Sequence, residues 1–407
     1  MEIRGGCYIC PVCPPGQRWF TVAPNQYSTN RQYEVTTQEV IINLVSRYKL
    51  SLEAAAQLGR EVLHLPKLTS TTVMDWMRDA GDATDTRSYR RAAIDAFSGQ
   101  MAVDEVYDGD YYQLKATDPL NDIELLWEVG EGSPCEDDIR EFFKRLKAMG
   151  VEPKLVVTDG SPLYPKVIVE IWPEAKHQRC VFHFLKQVNQ DLGKVFWALY
   201  NTMPKPPKRK KGRPKKKGRP RKDKEKRENR RKVRMIRFLL FKRDVPPEQV
   251  SQWSNEEQTA LEVGMSLCSR LRTLRRLVVQ IHELFGPTTD SHELAQQRRQ
   301  AILTDAEFSS LPGISKFLKS LSNDDLFRRL TRYLDFENAE KTSNHVEREN
   351  REFRKRQKSH YRLRSLWSIF SLLDLLAVRK PVSSEPRRLI QKEIANSQEK
   401  EVLHMAA

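Results

Sequence analysis

The sequence has no apolar run close to the ~18 residues that a membrane-spanning helix needs. The nearest stretch, residues 366–378, is shorter and carries Asp374, so we interpret it as a packed helix. The N-terminus also lacks the pattern of a secretory signal peptide. We therefore expect an intracellular protein without a membrane partner.

A disulfide framework is also missing. Three of the six cysteines are scattered along the chain, at Cys135, Cys180 and Cys268, as is typical of reduced thiols. The other three form a C-x2-C-x2-C pattern, at Cys7, Cys10 and Cys13. This spacing suits Zn2+, but a closed site needs four ligands, and no fourth Cys or His lies near. Residues 1–35 are therefore a partial zinc ribbon that either binds zinc or is the remnant of such a site.

Positive charge is concentrated in one segment. The chain has a net charge of +16, and residues 205–232 alone hold eighteen Lys/Arg and three acids, a net of +15. Such a field predicts a polyanion partner. Nucleic acid is favoured over a membrane because the segment has no apolar face. Since it has nothing to bury, we expect residues 201–232 to form a disordered linker.

Two Gly-Arg-Pro triplets lie within this linker, and their arginines are Arg213 and Arg219. Arginines in such a setting resemble an AT-hook, which binds narrow A·T minor grooves. The alternative, which we favour, is a tether that binds phosphates without regard to sequence.

Helical patterns precede and follow an α/β segment. Residues 36–95 contain short amphipathic helices that resemble a helix-turn-helix, with Thr71, Thr72 and Arg78 as candidate DNA contacts. The alternative is a three-helix unit that binds nothing. Residues 96–200 predict three antiparallel strands, a helix, a strand, a helix and a fifth strand at 175–182, which together form a mixed sheet. An all-α insertion at 233–340, a helical block at 341–380 and a tail at 381–407 follow.

Two carboxylates occur at strand positions where burying an unpaired charge costs free energy. Asp104 lies inside the first strand and Asp159 ends the fourth. If these strands are neighbours, the two carboxylates meet and need a cation between them; Mg2+ suits such ligands. Glu347 lies on a later helix, with Arg351 one turn beyond it. The alternatives are a solvent-facing acid for Asp104, a turn or helix cap for Asp159 and a solvated acid paired with Arg351 for Glu347.

These acids, the Gly-Ser after Asp159, "RCVFH" and "TSNHVEREN" together resemble a DDE transposase of a prokaryotic insertion sequence, of the Mutator-like type. The resemblance implies an RNase H-like core interrupted by an α-helical insertion, with Asp104, Asp159 and Glu347 as the catalytic ligands of two Mg2+ or Mn2+ ions. It also implies that Cys180 and His183, with Arg351, support the active site.

The family resemblance implies a function as well. The N-terminal helices would bind the terminal inverted repeats of the element, and the core would cut the ends and transfer them into target DNA. Its expected state is a homodimer on double-stranded DNA, in the cytoplasm of a prokaryote and associated with the nucleoid. The alternatives are an inactive or domesticated DNA-binding descendant and an RNase H-like nuclease.

Overall fold

The computed structural model describes residues 33–107, 110–202, 268–355, 365–380 and 384–394, and the backbone of two short strands, β1 (Gly6–Ile9) and β2 (Trp19–Val22). β1 and β2 pair antiparallel. Cys10, Cys13, Arg213, Arg219 and the side chain of Cys7 lie outside the described residues. The zinc site and the basic linker therefore stay predictions.

The chain divides into two compact units. The first unit consists of Met1–Lys154, Leu163–Glu174 and Asn344–Ala407, and the second of Leu155–Pro162 and Ala175–Ser343. Each unit is built from segments that are distant in sequence, so its core depends on long-range packing rather than on local order.

In the first unit, four helices follow β1 and β2: α1 (Val35–Ser46), α2 (Leu52–Glu61), α3 (Ser70–Asp82) and α4 (Thr86–Asp95). Three of them have side-chain caps, because Ser51, Thr69 and Asp85 each accept a hydrogen bond from a backbone N–H in the first turn. The helix-turn-helix assignment of residues 36–95 stays a prediction, as do the other domain boundaries.

Three antiparallel strands follow in the first unit: β3 (Gln100–Tyr107), β4 (Tyr111–Asp118) and β5 (Ile123–Glu131). Two further helices of this unit are α5 (Glu136–Ala148) and α6 (Tyr164–Ile171). The second unit contributes the parallel strands β6 (Leu155–Thr158) and β7 (Lys176–Arg179). The strands β3 to β7 belong to one five-stranded mixed sheet. This element order is the one expected of an RNase H-like core, so the predicted fold class is confirmed.

The other described elements of the second unit are helical. It contains α7 (Val181–Thr202), α8 (Ser269–Leu284), α9 (His292–Thr304), α10 (Ala306–Ser309), α11 (Ser315–Leu321), α12 (Asp324–Thr331) and a 3-10 turn (Arg332–Asp335). The apolar faces of these helices form one core. The α8 helix ends at Leu284, just before Gly286-Pro287, because proline cannot continue a helix and glycine commonly follows the last helical turn.

The predicted fifth strand is too long. β7 ends at Arg179, and Val181 begins α7 instead. The reason is that Val181, Phe184, Leu185 and Val188 recur at helical spacing and are buried in the helical core of the second unit. This places Cys180 at the strand–helix junction and His183 on the first turn of α7.

Three more helices complete the first unit: α13 (Asn344–Lys355), α14 (Leu366–Arg379) and α15 (residues 385–394). The apolar stretch of α14 packs against α3 and β5, which confirms it as a packed helix. Among the described residues, no helix combines the length and the apolar character needed to cross a membrane.

Candidate active site

Asp104 lies near the middle of β3, and its carboxylate is half-buried. Its Oδ2 accepts a hydrogen bond of 2.8 Å from Nδ2 of Asn350. The Oδ1 of Asn350 in turn accepts a hydrogen bond of 3.4 Å from Nε2 of Gln113 on β4. Since Gln113 and Asn350 are both buried, this chain of amides fixes the orientation of the Asp104 carboxylate.

The α13 helix carries both Asn350 and Glu347. Glu347 lies in the first turn and Asn350 is three residues later, so the two share a helix face. At the other end of the helix, Nη2 of Arg354 donates to the carbonyl oxygen of Tyr107 at a distance of 2.7 Å. The helix that bears Glu347 therefore lies along the strand that bears Asp104, within the first unit.

Other acids close to Asp104 and Glu347 have partners of their own. Glu105 accepts a hydrogen bond from the hydroxyl of Tyr164. Glu349 pairs with Nζ of Lys380 at 3.0 Å, and the same ammonium lies 2.6 Å from Asp122. Because Glu349 is about 200° around the helix from Glu347, its partners occupy a different face. These contacts assign Glu105 and Glu349 to packing.

Asp118, at the end of β4, shows what a structural carboxylate requires in this fold. It is fully buried and accepts hydrogen bonds from the backbone of Ser98 (2.7 Å), the hydroxyl of Ser98 (2.8 Å) and the backbone of Leu120 (3.0 Å) and Asn121 (3.2 Å). Asp104 is less buried than Asp118, which distinguishes a carboxylate that faces an accessible space from one that is enclosed by donors.

In the second unit, Asp159 directly follows β6 and is half-buried. Its Oδ1 accepts a hydrogen bond of 2.7 Å from the backbone N–H of Ser161, which is turn chemistry as one alternative predicted. It is not the cap of α6, because Leu163 occupies that position. The structure gives Oδ2 of Asp159 no hydrogen-bond partner among the described residues.

Arg179 is a functional candidate that the sequence analysis did not identify. It ends β7 in register with Thr158, the residue before Asp159. A Cβ on Gly160 would lie 2.6 Å from Nη2 of Arg179, so glycine at this position lets the guanidinium approach the turn. Burial and the nearby Arg329 lower the pKa of Arg179, and Asp159 opposes this shift. The sequence feature that could have identified Arg179 is its position near the carboxyl end of a predicted strand that lies parallel to β6.

The pair formed by Cys180 and His183 lies at the start of α7 in the second unit. The thiol of Cys180 is fully buried and accepts a hydrogen bond of 3.3 Å from the backbone of Ser343. Burial raises the pKa of this thiol, but hydrogen bonds from His183 and Ser343 outweigh burial, so the pKa is lowered overall. In this unit the pair supplies two soft ligands, too few for a closed zinc site.

The predicted DNA contacts of α3 have different surroundings. The Thr72 hydroxyl lies 2.9 Å from that of Thr69, the cap of the helix, and Thr71 is exposed. Arg78 donates from Nε to the hydroxyl of Ser368 at 2.9 Å and lies over the ring of Trp367, 5.3 Å from its centroid. Arg78 is thus used in packing against α14.

Two comparisons relate the chain to known proteins. A family model described as a transposase, DDE_Tnp_ISL3, matches residues 101–368, about two thirds of the chain. Among solved structures, a chain of the "Drosophila P element transposase strand transfer complex" is similar over 84% of this chain and 91% of that one, with 12% sequence identity and a TM-score of 0.42. No curated protein matches the sequence.

Proposed function

Because the chain belongs to the DDE transposase family whose model matches residues 101–368, we propose that it binds the terminal inverted repeats of an insertion sequence and catalyses metal-dependent cleavage and strand transfer of DNA. The catalytic acids are Asp104, Asp159 and Glu347. The observation that carries this proposal is the hydrogen bond from Asn350 to Asp104, because it ties the helix of one predicted acid to the strand of another.

Asp159 supports the proposal from its own unit. It stands at the carboxyl end of β6, keeps one carboxylate oxygen without a described partner and has the guanidinium of Arg179 near its turn. A carboxylate for a cation and an arginine for phosphate are the groups that phosphoryl transfer requires. The convergence of Asp159 with the other two acids is part of the proposal.

The donor set fits hard divalent cations. Three carboxylates offer only oxygen, which Mg2+ and Mn2+ prefer, whereas Zn2+ favours nitrogen and sulfur. Two such ions, when bound, supply the activation of an attacking water or hydroxyl and the stabilisation of a leaving oxygen. The chain itself holds the ions through the three acids, orients Asp104 through Asn350 and grips the phosphodiester through Arg179 and Arg351.

The test uses DNA from the two genomic flanks of the coding sequence, end-labelled and incubated with the protein and Mg2+. We expect cleavage at one position in each flank, and its loss in Asp104→Asn and Glu347→Gln while binding is retained. Glu352→Gln is the matched control, since Glu352 is on the same helix but pairs with Lys49 at 2.5 Å. Activity that survives Glu347→Gln, or that falls equally in Glu352→Gln, contradicts the assignment.

Binding without any cleavage of either flank would favour the alternative of an inactive or domesticated DNA-binding protein. The proposal also includes a Mutator-like element, a prokaryotic host and a location at the nucleoid. It includes a homodimer as well, because two DNA ends must be joined. The support of Cys180 and His183 for the active site also belongs here, and their substitution is expected to lower cleavage less than substitution of an acid.

A further inference from the structure

The α4 helix presents three arginines on one face. Arg87, Arg90 and Arg91 are separated by three and four residues, which places them side by side on a helix. We call these three residues the arginine face. Arg87 and Arg91 are exposed, and Arg90 is half-buried.

The arginine face has no direct ion pair among the described residues. None of its three guanidiniums takes part in an ion pair or a side-chain hydrogen bond there. Arg140 shows the opposite arrangement in the same unit, because it contacts Glu136 at 2.9 Å, Glu170 at 3.0 Å and also Asp137. Unpaired arginines side by side repel one another, so an arrangement that holds them together favours an anionic ligand.

Arg90 is held in position by packing. Its guanidinium carbon lies 5.1 Å from the centroid of the Trp127 ring, a cation–π contact. Its Nε is buried and has no hydrogen-bond partner. The nearby carboxylates are engaged elsewhere, because Glu128 pairs with Arg145 at 2.8 Å and Asp374 accepts from Trp127 at 2.8 Å. Arg90 is therefore preorganised and forms no direct ion pair within the described chain, although Glu128 and Asp374 lie close enough to interact with its charge.

A surface groove of about 380 Å³ runs along the arginine face. It is lined by Thr86, Arg87, Arg90, Arg91, Ile94, Asp95 and Met149. Three positive groups and one carboxylate give this lining a net charge of +2. A second groove in the same unit also has a net charge of +2, from five basic and three acidic side chains, but Lys49, Lys115 and Lys380 are held there in ion pairs. The arginine face differs because none of its bases forms such a pair with a described residue.

We propose that the arginine face binds the sugar-phosphate backbone of double-stranded DNA without regard to base sequence. Charge complementarity selects the ligand, since arginine forks match phosphate oxygens and a duplex offers a row of them. The proposal deepens the proposed function, which names DNA as the substrate, and adds a binding surface that is separate from the catalytic acids. Its place in the complex is to hold duplex DNA while the acids act on it.

The experiment measures affinity for a short duplex of arbitrary sequence, in EDTA, over a range of salt concentrations. We expect Arg87→Gln/Arg91→Gln to weaken binding about tenfold or more at ~0.1 M salt. The slope of log K against log salt should also fall by about 1.8, since two phosphate contacts are lost. Asp95→Asn, which removes the one carboxylate of the groove, is expected to tighten binding.

The matched control is Arg328→Gln/Arg388→Gln, which removes the same charge from two exposed arginines that are paired with Asp325 and Glu385. We expect it to change affinity less than about twofold. Equal losses in the two double variants would overturn the proposal, as would unchanged DNA affinity with a changed oligomeric state. The assay needs neither cleavage nor element ends, so the DNA-binding role of the arginine face can be confirmed even if the proposed catalytic function fails. Cleavage can likewise be confirmed even if the arginine face does not bind DNA.

Discussion

The helices α3 and α4 are neighbours in sequence and both carry arginine, yet their arginines have opposite environments. Arg78 of α3 contacts Ser368 and Trp367 of α14, whereas Arg87 and Arg91 of α4 are exposed and unpaired within the described chain. The sequence predicts α3, rather than α4, as the helix that contacts DNA. Packing partners, rather than helix order or composition, therefore decide which positive charge remains exposed.

The difference between α3 and α4 depends on the close contact of α3 with α14, and Gly81 on α3 allows this contact to be tested. A Cβ on Gly81 would lie 2.3 Å from the backbone oxygen of Ser371. Intrinsic helix propensity alone predicts that Gly81→Ala stabilises the protein by about 1 kcal/mol. Because backbone must move to make room, we expect the opposite, a loss of about 1–3 kcal/mol in the free energy of unfolding. Denaturant titration measures the change.

Gly59→Ala on α2 is the matched control for this variant. The nearest atom to the added methyl group would be the Cδ2 atom of Leu68, at 2.5 Å, which is the end of a flexible side chain. We expect a smaller loss than for Gly81→Ala. A stabilising Gly81→Ala substitution would show that α3 and α14 are not in close contact, and Arg78 would then be as available as the arginine face.

Asp374 tests the environment of Arg90 on α4. It lies on α14 beside Trp127, the ring on which Arg90 stacks. Burial raises the pKa of Asp374 to about 6, against the lowering effects of Trp127 and Arg90. The folded state therefore holds this proton at a pH where the unfolded state has lost it. Stability is lost as the pH rises from about 4 to about 6, and the loss remains above that range.

We therefore expect Asp374→Asn to raise the melting temperature at pH 7.5 by about 2–4 °C, and by less at pH 5. The amide oxygen can still accept the hydrogen bond from Trp127, so the contact itself is kept. Thermal unfolding of both proteins at the two pH values gives the result. An effect that is the same at pH 5 and pH 7.5 would exclude titration of Asp374 as the cause.

Local patterns were sufficient for most strands of the sheet, and they also indicated two candidate acids. Alternating and apolar runs predicted β3 to β6, because burial on a sheet has a period of two residues. Asp104 and Glu347 are candidates because burial of a carboxylate within a strand costs free energy and because the second acid shares a helix with arginines. The structure brings the helix of Glu347 to the strand of Asp104, as that interpretation requires.

The contacts that distinguish α3 from α4 could not be predicted in this way. Arg78 and Ser368 are 290 residues apart, and no local pattern relates them. The roles of Asn350 and Arg179 likewise depend on which side chains the fold brings near them, and an isolated Asn or Arg gives no periodic signal. The end of β7 was misplaced because strand and helix patterns overlap in "RCVFH", where burial in the helical core decides the outcome.

Arg78→Gln is the substitution with the smallest expected effect, and it tests the comparison directly. It removes one hydrogen bond to Ser368 and the contact with Trp367, which at a partly exposed site contribute about 0.5–1 kcal/mol each to stability. Since this guanidinium is already engaged, we expect DNA affinity in EDTA to change less than about twofold and the salt slope to fall by much less than the ~0.9 of one phosphate contact. A loss as large as that of Arg87→Gln/Arg91→Gln would mean that Arg78 leaves α14 to bind DNA. That result would support the helix-turn-helix interpretation of α3, and packing in the free protein would not decide which arginine binds DNA.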